Sequence, residues 1–81
     1  MSTPSDHKLF RLACSIIMTE AKNTPALNYA YSYAQAGLHL HTDEGIKLQI
    51  LYILDNIKSW RGTTAKQVRA ELKSLSTQFG N

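Results

Sequence analysis

The sequence of 81 residues predicts an all-α protein, a small four-helix bundle in a single domain. Apolar residues recur at spacings of three and four along the chain, which is the spacing of one face of an α-helix. Threonine, proline and glycine residues divide the chain into four such segments, at positions where helices start and stop. Only residues 38–41 alternate like a strand, and four residues cannot form a sheet without partners.

The first helix is predicted over residues 4–21. Thr3 is a suitable N-cap, Pro4 suits the first helical position, and Asp6 places a carboxylate in the first turn. The apolar positions predict a stripe that faces the core, formed by Leu9, Leu12, Ala13, Ile16 and Ile17. Cys14 lies among these residues, so we expect an inert, structural thiol.

The second helix is predicted over residues 25–37, because Thr24 and Pro25 repeat the start signal of the first helix and Gly37 suits a helix end. Alanines on one side permit close helix approach, and that side comprises Leu27, Ala30, Tyr31 and Ala34. The other side is rich in tyrosine, which is common at interfaces, and comprises Ala26, Tyr29, Tyr33 and Ala36.

The third helix is predicted over residues 43–61, with Thr42 as its cap and two acidic residues in its first turn. Its core stripe comprises Ile46, Ile50, Ile53, Leu54, Ile57 and Trp60. Its opposite side is also apolar and comprises Leu48, Leu51 and Tyr52. We expect this helix at the centre of the bundle. In the alternative interpretation, a dimer or partner surface is formed by Tyr29, Tyr33, Leu48 and Tyr52.

The fourth helix is predicted over residues 64–78, after Gly62 ends the third helix and Thr63 or Thr64 provides a cap. Its core stripe comprises Ala65, Val68, Leu72, Leu75 and Phe79. The net charge is +3, and residues 58–81 carry five basic residues against one acidic residue. Such an asymmetry is typical of a protein with an anionic partner.

A nucleic-acid-binding module is therefore the alternative function. Its candidate contacts are the basic residues of the last third together with one aromatic ring: Lys58, Trp60, Arg61, Lys66, Arg69 and Lys73. A helix, a turn with glycine and a second helix also describe a helix-turn-helix. The competing interpretation is that the charges solvate an outer face and that Trp60 closes the core.

Sequence motifs for catalysis and for cofactor binding are missing, so we expect no enzyme, no cofactor and no small-molecule substrate. His39 and His41 precede two acidic residues, but their side chains diverge in a turn, and we expect a solvated loop without a metal. The apolar runs are too short to cross a membrane, and the first residues have neither the basic nor the apolar region of a signal peptide, so we expect neither a membrane span nor a signal peptide. A lone cysteine suits a reducing compartment, so we expect a cytoplasmic protein.

The last two thirds of the chain resemble small uncharacterised helical proteins encoded by phages and prophages. The resemblance rests on Tyr33-Ala34-Gln35-Ala36-Gly37-Leu38, Gln49-Ile50-Leu51-Tyr52-Ile53-Leu54, Trp60-Arg61-Gly62 and Ala65-Lys66-Gln67-Val68-Arg69. It implies a regulatory or host-interaction role that is exerted by binding, and it assigns no functional residues. The predicted function is stoichiometric binding to a protein partner or to a second copy of the chain.

Overall fold

A computed structural model of the protein describes residues 3–80. Four α-helices account for most of this part of the chain, which contains no strand: α1 (Pro4–Ala21), α2 (Asn28–Gly37), α3 (Asp43–Asp55) and α4 (Thr63–Gly80). A 3₁₀ turn over Pro25–Leu27 leads into α2. The prediction of a small all-α four-helix bundle is confirmed.

Side-chain caps fix the starts of α1 and α3. The Thr3 hydroxyl accepts a hydrogen bond from the Asp6 amide at 3.2 Å, and the Asp6 carboxylate accepts one from the Thr3 amide at 2.9 Å. The Thr42 hydroxyl accepts a hydrogen bond from the Gly45 amide at 3.1 Å. Each bond satisfies an amide that has no partner within its own helix, so these two helix starts follow from the local sequence.

Thr24 is the N-cap of the 3₁₀ turn before α2, with Pro25 after it as predicted, whereas the predicted threonine cap of α4 is wrong. The Thr24 side chain makes no capping bond, and its carbonyl accepts the Leu27 amide at 2.9 Å, which closes the 3₁₀ turn. Gly62, and neither Thr63 nor Thr64, directly precedes α4. Its φ of 112° is a left-handed conformation that side chains disfavour, and glycine adopts it without strain.

The helices form a ring in which each packs against two neighbours. The most extensive contacts join α1 to α2 and α3 to α4, and less extensive contacts join α1 to α4 and α2 to α3. His7 bridges the diagonal, because its Nε2 lies 3.1 Å from Oδ1 of Asp43 and its ring meets Phe79 edge to face. The prediction that α3 is central is therefore wrong, since only one side of this helix faces the core.

The core combines apolar side chains from every helix, and the described residues include no buried polar side chain. The predicted α4 stripe is buried at every position. In α1 the prediction is partly wrong, because Leu9 and Leu12 are exposed while Phe10 and Cys14 are buried. The apolar residues of α1 cover two adjacent faces, and periodicity alone does not say which of them turns inward.

Gly37 explains which face of α1 turns toward the core, because it makes room for Phe10 and Cys14. It ends α2, as predicted, without a positive φ. A Cβ atom at this position would lie 2.9 Å from Cζ of Phe10 and 3.1 Å from Sγ of Cys14. Such distances are shorter than van der Waals contact, so glycine is needed here for the close approach of α1 and α2.

The third helix ends at Asp55, six residues before its predicted end. The Asn56 side chain donates to the Tyr52 carbonyl at 2.8 Å, and the chain then leaves the helix in a series of turns. Ile57 and Trp60 are nevertheless buried, as the stripe predicted. They reach the core from the turns, because continued helical backbone is not required to point two apolar side chains inward.

Arg69 holds these turns against α4. Its Nη1 donates hydrogen bonds to the Ile57 carbonyl at 3.2 Å and to the Trp60 carbonyl at 2.7 Å. A charged donor thus satisfies the Trp60 carbonyl and adds a second donor to the Ile57 carbonyl, which already accepts the Trp60 amide at 3.1 Å.

Candidate partner-binding face

Large apolar side chains are exposed on the outer side of α2 and α3. The aromatic face, as we call it, consists of Tyr29, Tyr33, Leu48, Leu51 and Tyr52. The exposed fractions are 78% for Tyr29, 37% for Tyr33, and between 45% and 50% for the other three. Residues three and four apart on a helix are neighbours, so each helix contributes a continuous part of this surface.

Two tyrosines join the parts contributed by the two helices. The rings of Tyr33 and Tyr52 are stacked, with centroids 5.6 Å apart and planes inclined by 29°. Nε2 of Gln49 also donates a hydrogen bond to the Tyr33 carbonyl, at 2.7 Å. The stack restricts the rotamers of both tyrosines before any partner arrives, which lowers the entropy lost on binding, and the Gln49 bond ties α3 to the backbone of α2.

The surroundings of the aromatic face are poor in charge. Residues 23–42 contain no Lys, Arg, Asp or Glu, so α2 contributes no formal charge. On α3, Glu44 lies four residues before Leu48, and Asp55 lies four residues after Leu51. These two acidic residues therefore mark the two ends of the apolar stripe. An uncharged centre with charges at its edge is the usual composition of a protein–protein interface.

The exposed area of the aromatic face is close to the apolar area that one partner contributes to a protein–protein interface. With about 200 Å² for a fully exposed large side chain, the five exposed fractions amount to roughly 500 Å². The largest apolar patch on an ordinary monomer is about 300–600 Å² and is often functional. A stable interface covers about 800 Å² on each partner, so a polar rim would complete it.

The basic residues proposed for nucleic-acid binding do not form one free surface. Trp60 is 4% exposed and closes the core, so it cannot stack on a base. Arg69 is committed to the two carbonyls described above. Lys58 forms an ion pair with Asp55 at 2.9 Å. The remaining exposed cations are Arg61, Lys66 and Lys73.

The geometry also departs from a helix-turn-helix. Residues 56–62 separate α3 from α4, which is about twice the three or four residues usual in that motif.

The single thiol and the histidines were the other candidates for chemistry. Cys14 is fully buried, and desolvation raises the pKa of its thiol to about 12, so the reactive thiolate is suppressed. His39 and His41 are exposed in the connection between α2 and α3. Across residues 3–80, no three His, Cys, Asp or Glu side chains are grouped so that they could hold a metal ion.

Leu51 belongs to the aromatic face although the predicted contacts did not include it. Its position three residues after Leu48 was the available signal.

None of the four described helices is long and apolar enough to cross a membrane.

Comparison with known proteins adds no family or function. No family model matches the chain, and no curated protein and no solved structure is significantly similar to it.

Proposed function

We propose that this protein acts by stoichiometric binding, without catalysis, and that its aromatic face binds another protein. The observation that carries the proposal is the exposed stack of Tyr33 on Tyr52, bordered by Leu48 and free of formal charge on α2. Tyrosines of this kind offer large contact area with few rotatable bonds and often dominate binding energy. The buried, protonated Cys14 fits a reducing, cytoplasmic setting.

A different protein suits this face better than a second copy of the chain. In an antiparallel two-fold pairing of α3 centred between Leu48 and Leu51, Glu44 of one copy approaches Asp55 of the other. In a parallel pairing, each of these carboxylates meets its own counterpart. Glu44 meets another carboxylate in either arrangement, which disfavours both, and the pairing of Lys58 with Asp55 at 2.9 Å reduces the repulsion at Asp55.

The experiment begins with site-specific crosslinking in the cells that express the protein. A photoreactive phenylalanine analogue is placed at Leu48, and a matched control is placed at the exposed Ala70 of α4. We expect one protein to be crosslinked from position 48 and not from position 70. Introducing Tyr33→Ala beside the crosslinker should abolish that product.

Titration of the purified partner then gives the energetics. Tyr33→Ala and Tyr52→Ala should each weaken binding by about tenfold or more, whereas Lys66→Ala should leave it unchanged. The affinity should depend only weakly on salt. Equal crosslinking from positions 48 and 70 would contradict the proposal. The proposal would also be contradicted if the free chain sedimented as a dimer and Leu48→Glu dissociated that dimer. The partner would then be a second copy of the chain.

A nucleic acid is the second candidate partner, favoured by one observation. Arg61, Lys66 and Lys73 are exposed and form no ion pair within the described part of the chain. Fluorescence anisotropy with labelled single- and double-stranded DNA and RNA tests it at low and moderate salt. Binding that collapses with salt and disappears in an Arg61/Lys66/Lys73→Glu variant would support this function. Arg69 is left intact in that variant because it holds the turns before α4.

A further inference from the structure

A second apolar surface lies between α1 and α4, on the side of the ring opposite to α2 and α3. We call it the α1–α4 groove. It has a volume of about 290 Å³, and its lining residues are Leu9, Leu12, Ala13, Ile16, Thr64, Gln67, Val68 and Glu71. Leu9 is 40% exposed and Leu12 is 56% exposed, so two leucines meet water along one wall.

The two walls of the groove differ in polarity. On α1, Leu9, Leu12 and Ile16 follow each other at spacings of three and four residues, which makes an apolar stripe. The facing stripe of α4 has the same spacing but is polar, and consists of Thr64, Gln67 and Glu71. Because α4 offers polar groups to these leucines, the chain itself does not cover them.

The groove carries negative charge in a protein whose net charge is positive. Glu71 lies in its wall, and Glu20 lines the adjoining depression that shares Leu12 and Ile16 with it. Neither carboxylate forms an ion pair within the described part of the chain. No Lys or Arg side chain lines either depression, although the chain has nine basic and six acidic residues.

We propose that the α1–α4 groove binds an amphipathic α-helix with basic flanks, supplied by a partner protein. Each wall spans seven residue steps, or about 10.5 Å, which is two turns of a bound helix. Three apolar anchors at i, i+3 or i+4, and i+7 would cover the α1 stripe. Lysine or arginine beside the anchors would pair with Glu71 and Glu20. This groove is separate from the aromatic face, so the protein would hold two partners on opposite sides.

A direct test uses a fluorescein-labelled helical peptide of 18 residues that contains only Leu and Lys, with the leucines at helical spacing. A second peptide carries Glu at every Lys position, and a third scrambles the Lys peptide so that it has no apolar face. We expect saturable binding of the first peptide with a Kd on the order of 10 µM, and at least tenfold weaker binding of the other two.

Matched variants locate the site. Leu12→Ser should weaken binding of the Lys peptide by about tenfold. Leu51→Ser should not change it, and Leu51 is a leucine of the aromatic face with a similar exposed fraction. A Glu20→Lys/Glu71→Lys variant should reverse the preference between the Lys and Glu peptides. This charge reversal leaves the apolar walls intact, so it tests the proposal even where Leu12→Ser impairs folding.

Three results would overturn the inference. These are no saturable binding of the Lys peptide below about 1 mM, equal affinity for the Lys and Glu peptides, and equal losses in Leu12→Ser and Leu51→Ser. Failure here leaves the proposal for the aromatic face untouched, because that proposal is tested from Leu48, Tyr33 and Tyr52.

Discussion

Replacing Arg69 with methionine tests how the end of α3 is stabilised. The guanidinium donates to the carbonyls of Ile57 and Trp60 at 3.2 and 2.7 Å, and the residue is partly buried. Methionine keeps an unbranched chain that packs against the turns, but it removes both donors and the charge. The Trp60 carbonyl then loses its donor, whereas the Ile57 carbonyl loses one of two and keeps the Trp60 amide at 3.1 Å.

The expected loss follows from these two bonds. Hydrogen bonds that involve a charged group contribute about 1.5–3 kcal/mol when buried, and partial exposure lets water replace part of that contribution. We therefore expect Arg69→Met to lower the free energy of unfolding by about 2–3 kcal/mol in total. An 81-residue domain has an unfolding entropy of about 170 cal/mol/K, so the melting temperature should fall by about 12–18 °C.

Circular dichroism during thermal and urea unfolding provides the measurement. Lys66→Met is the matched control, because it removes the same charge from an exposed position of the same helix and should cost less than about 0.5 kcal/mol. Arg69→Lys should fall between them, since a lysine ammonium lacks the fork of donors that reaches both carbonyls. A melting temperature of Arg69→Met within about 3 °C of Lys66→Met would refute the reasoning.

Three further predictions concern the core and the connecting loop. Gly37→Ala should lower stability by about 1–2 kcal/mol in urea unfolding, because the methyl group would meet Cζ of Phe10 at 2.9 Å; an unchanged or higher midpoint would contradict this. Burial raises the pKa of Cys14 from 9.0 to about 12, so only the unfolded state ionises between these values and stability is lost as pH rises through them. The free energy of unfolding should fall by about 1 kcal/mol between pH 9 and 10, and Cys14→Ala should lack this decrease. Parallel plots of unfolding free energy against pH for the two proteins would refute this prediction. EDTA should not change the melting temperature, and a decrease that a His39→Ala/His41→Ala variant lacks would instead indicate a metal at these histidines.

Local chemistry explains what could be predicted about the fold. The capping side chains of Thr3 and Thr42 act on amides three residues away, so the starts of α1 and α3 are fixed within one turn of sequence. The core stripe of α4 has a single apolar face, and a helix with one such face can bury only that face. The Thr24 side chain makes no capping bond, and α2 is entered through a 3₁₀ turn instead.

The candidate site could be predicted only in part. Tyr29, Tyr33, Leu48 and Tyr52 were recognised because they lie opposite a core stripe at helical spacing. The same pattern fits a central helix, since burial by the chain and burial by a partner select the same apolar residues. The ring arrangement shows that α3 is not central, because it leaves the outer side of this helix uncovered.

The sequence by itself determined the all-α class, the four helical segments and the apolar residues available for a core. The tertiary structure decided which apolar face of α1 turned inward, because Phe10 fits against Gly37 and leaves Leu9 and Leu12 on the surface. It also decided that Arg69 stabilises turns instead of joining a basic surface. Helical periodicity is a property of neighbours in the chain, whereas these choices depend on contacts between residues distant in sequence.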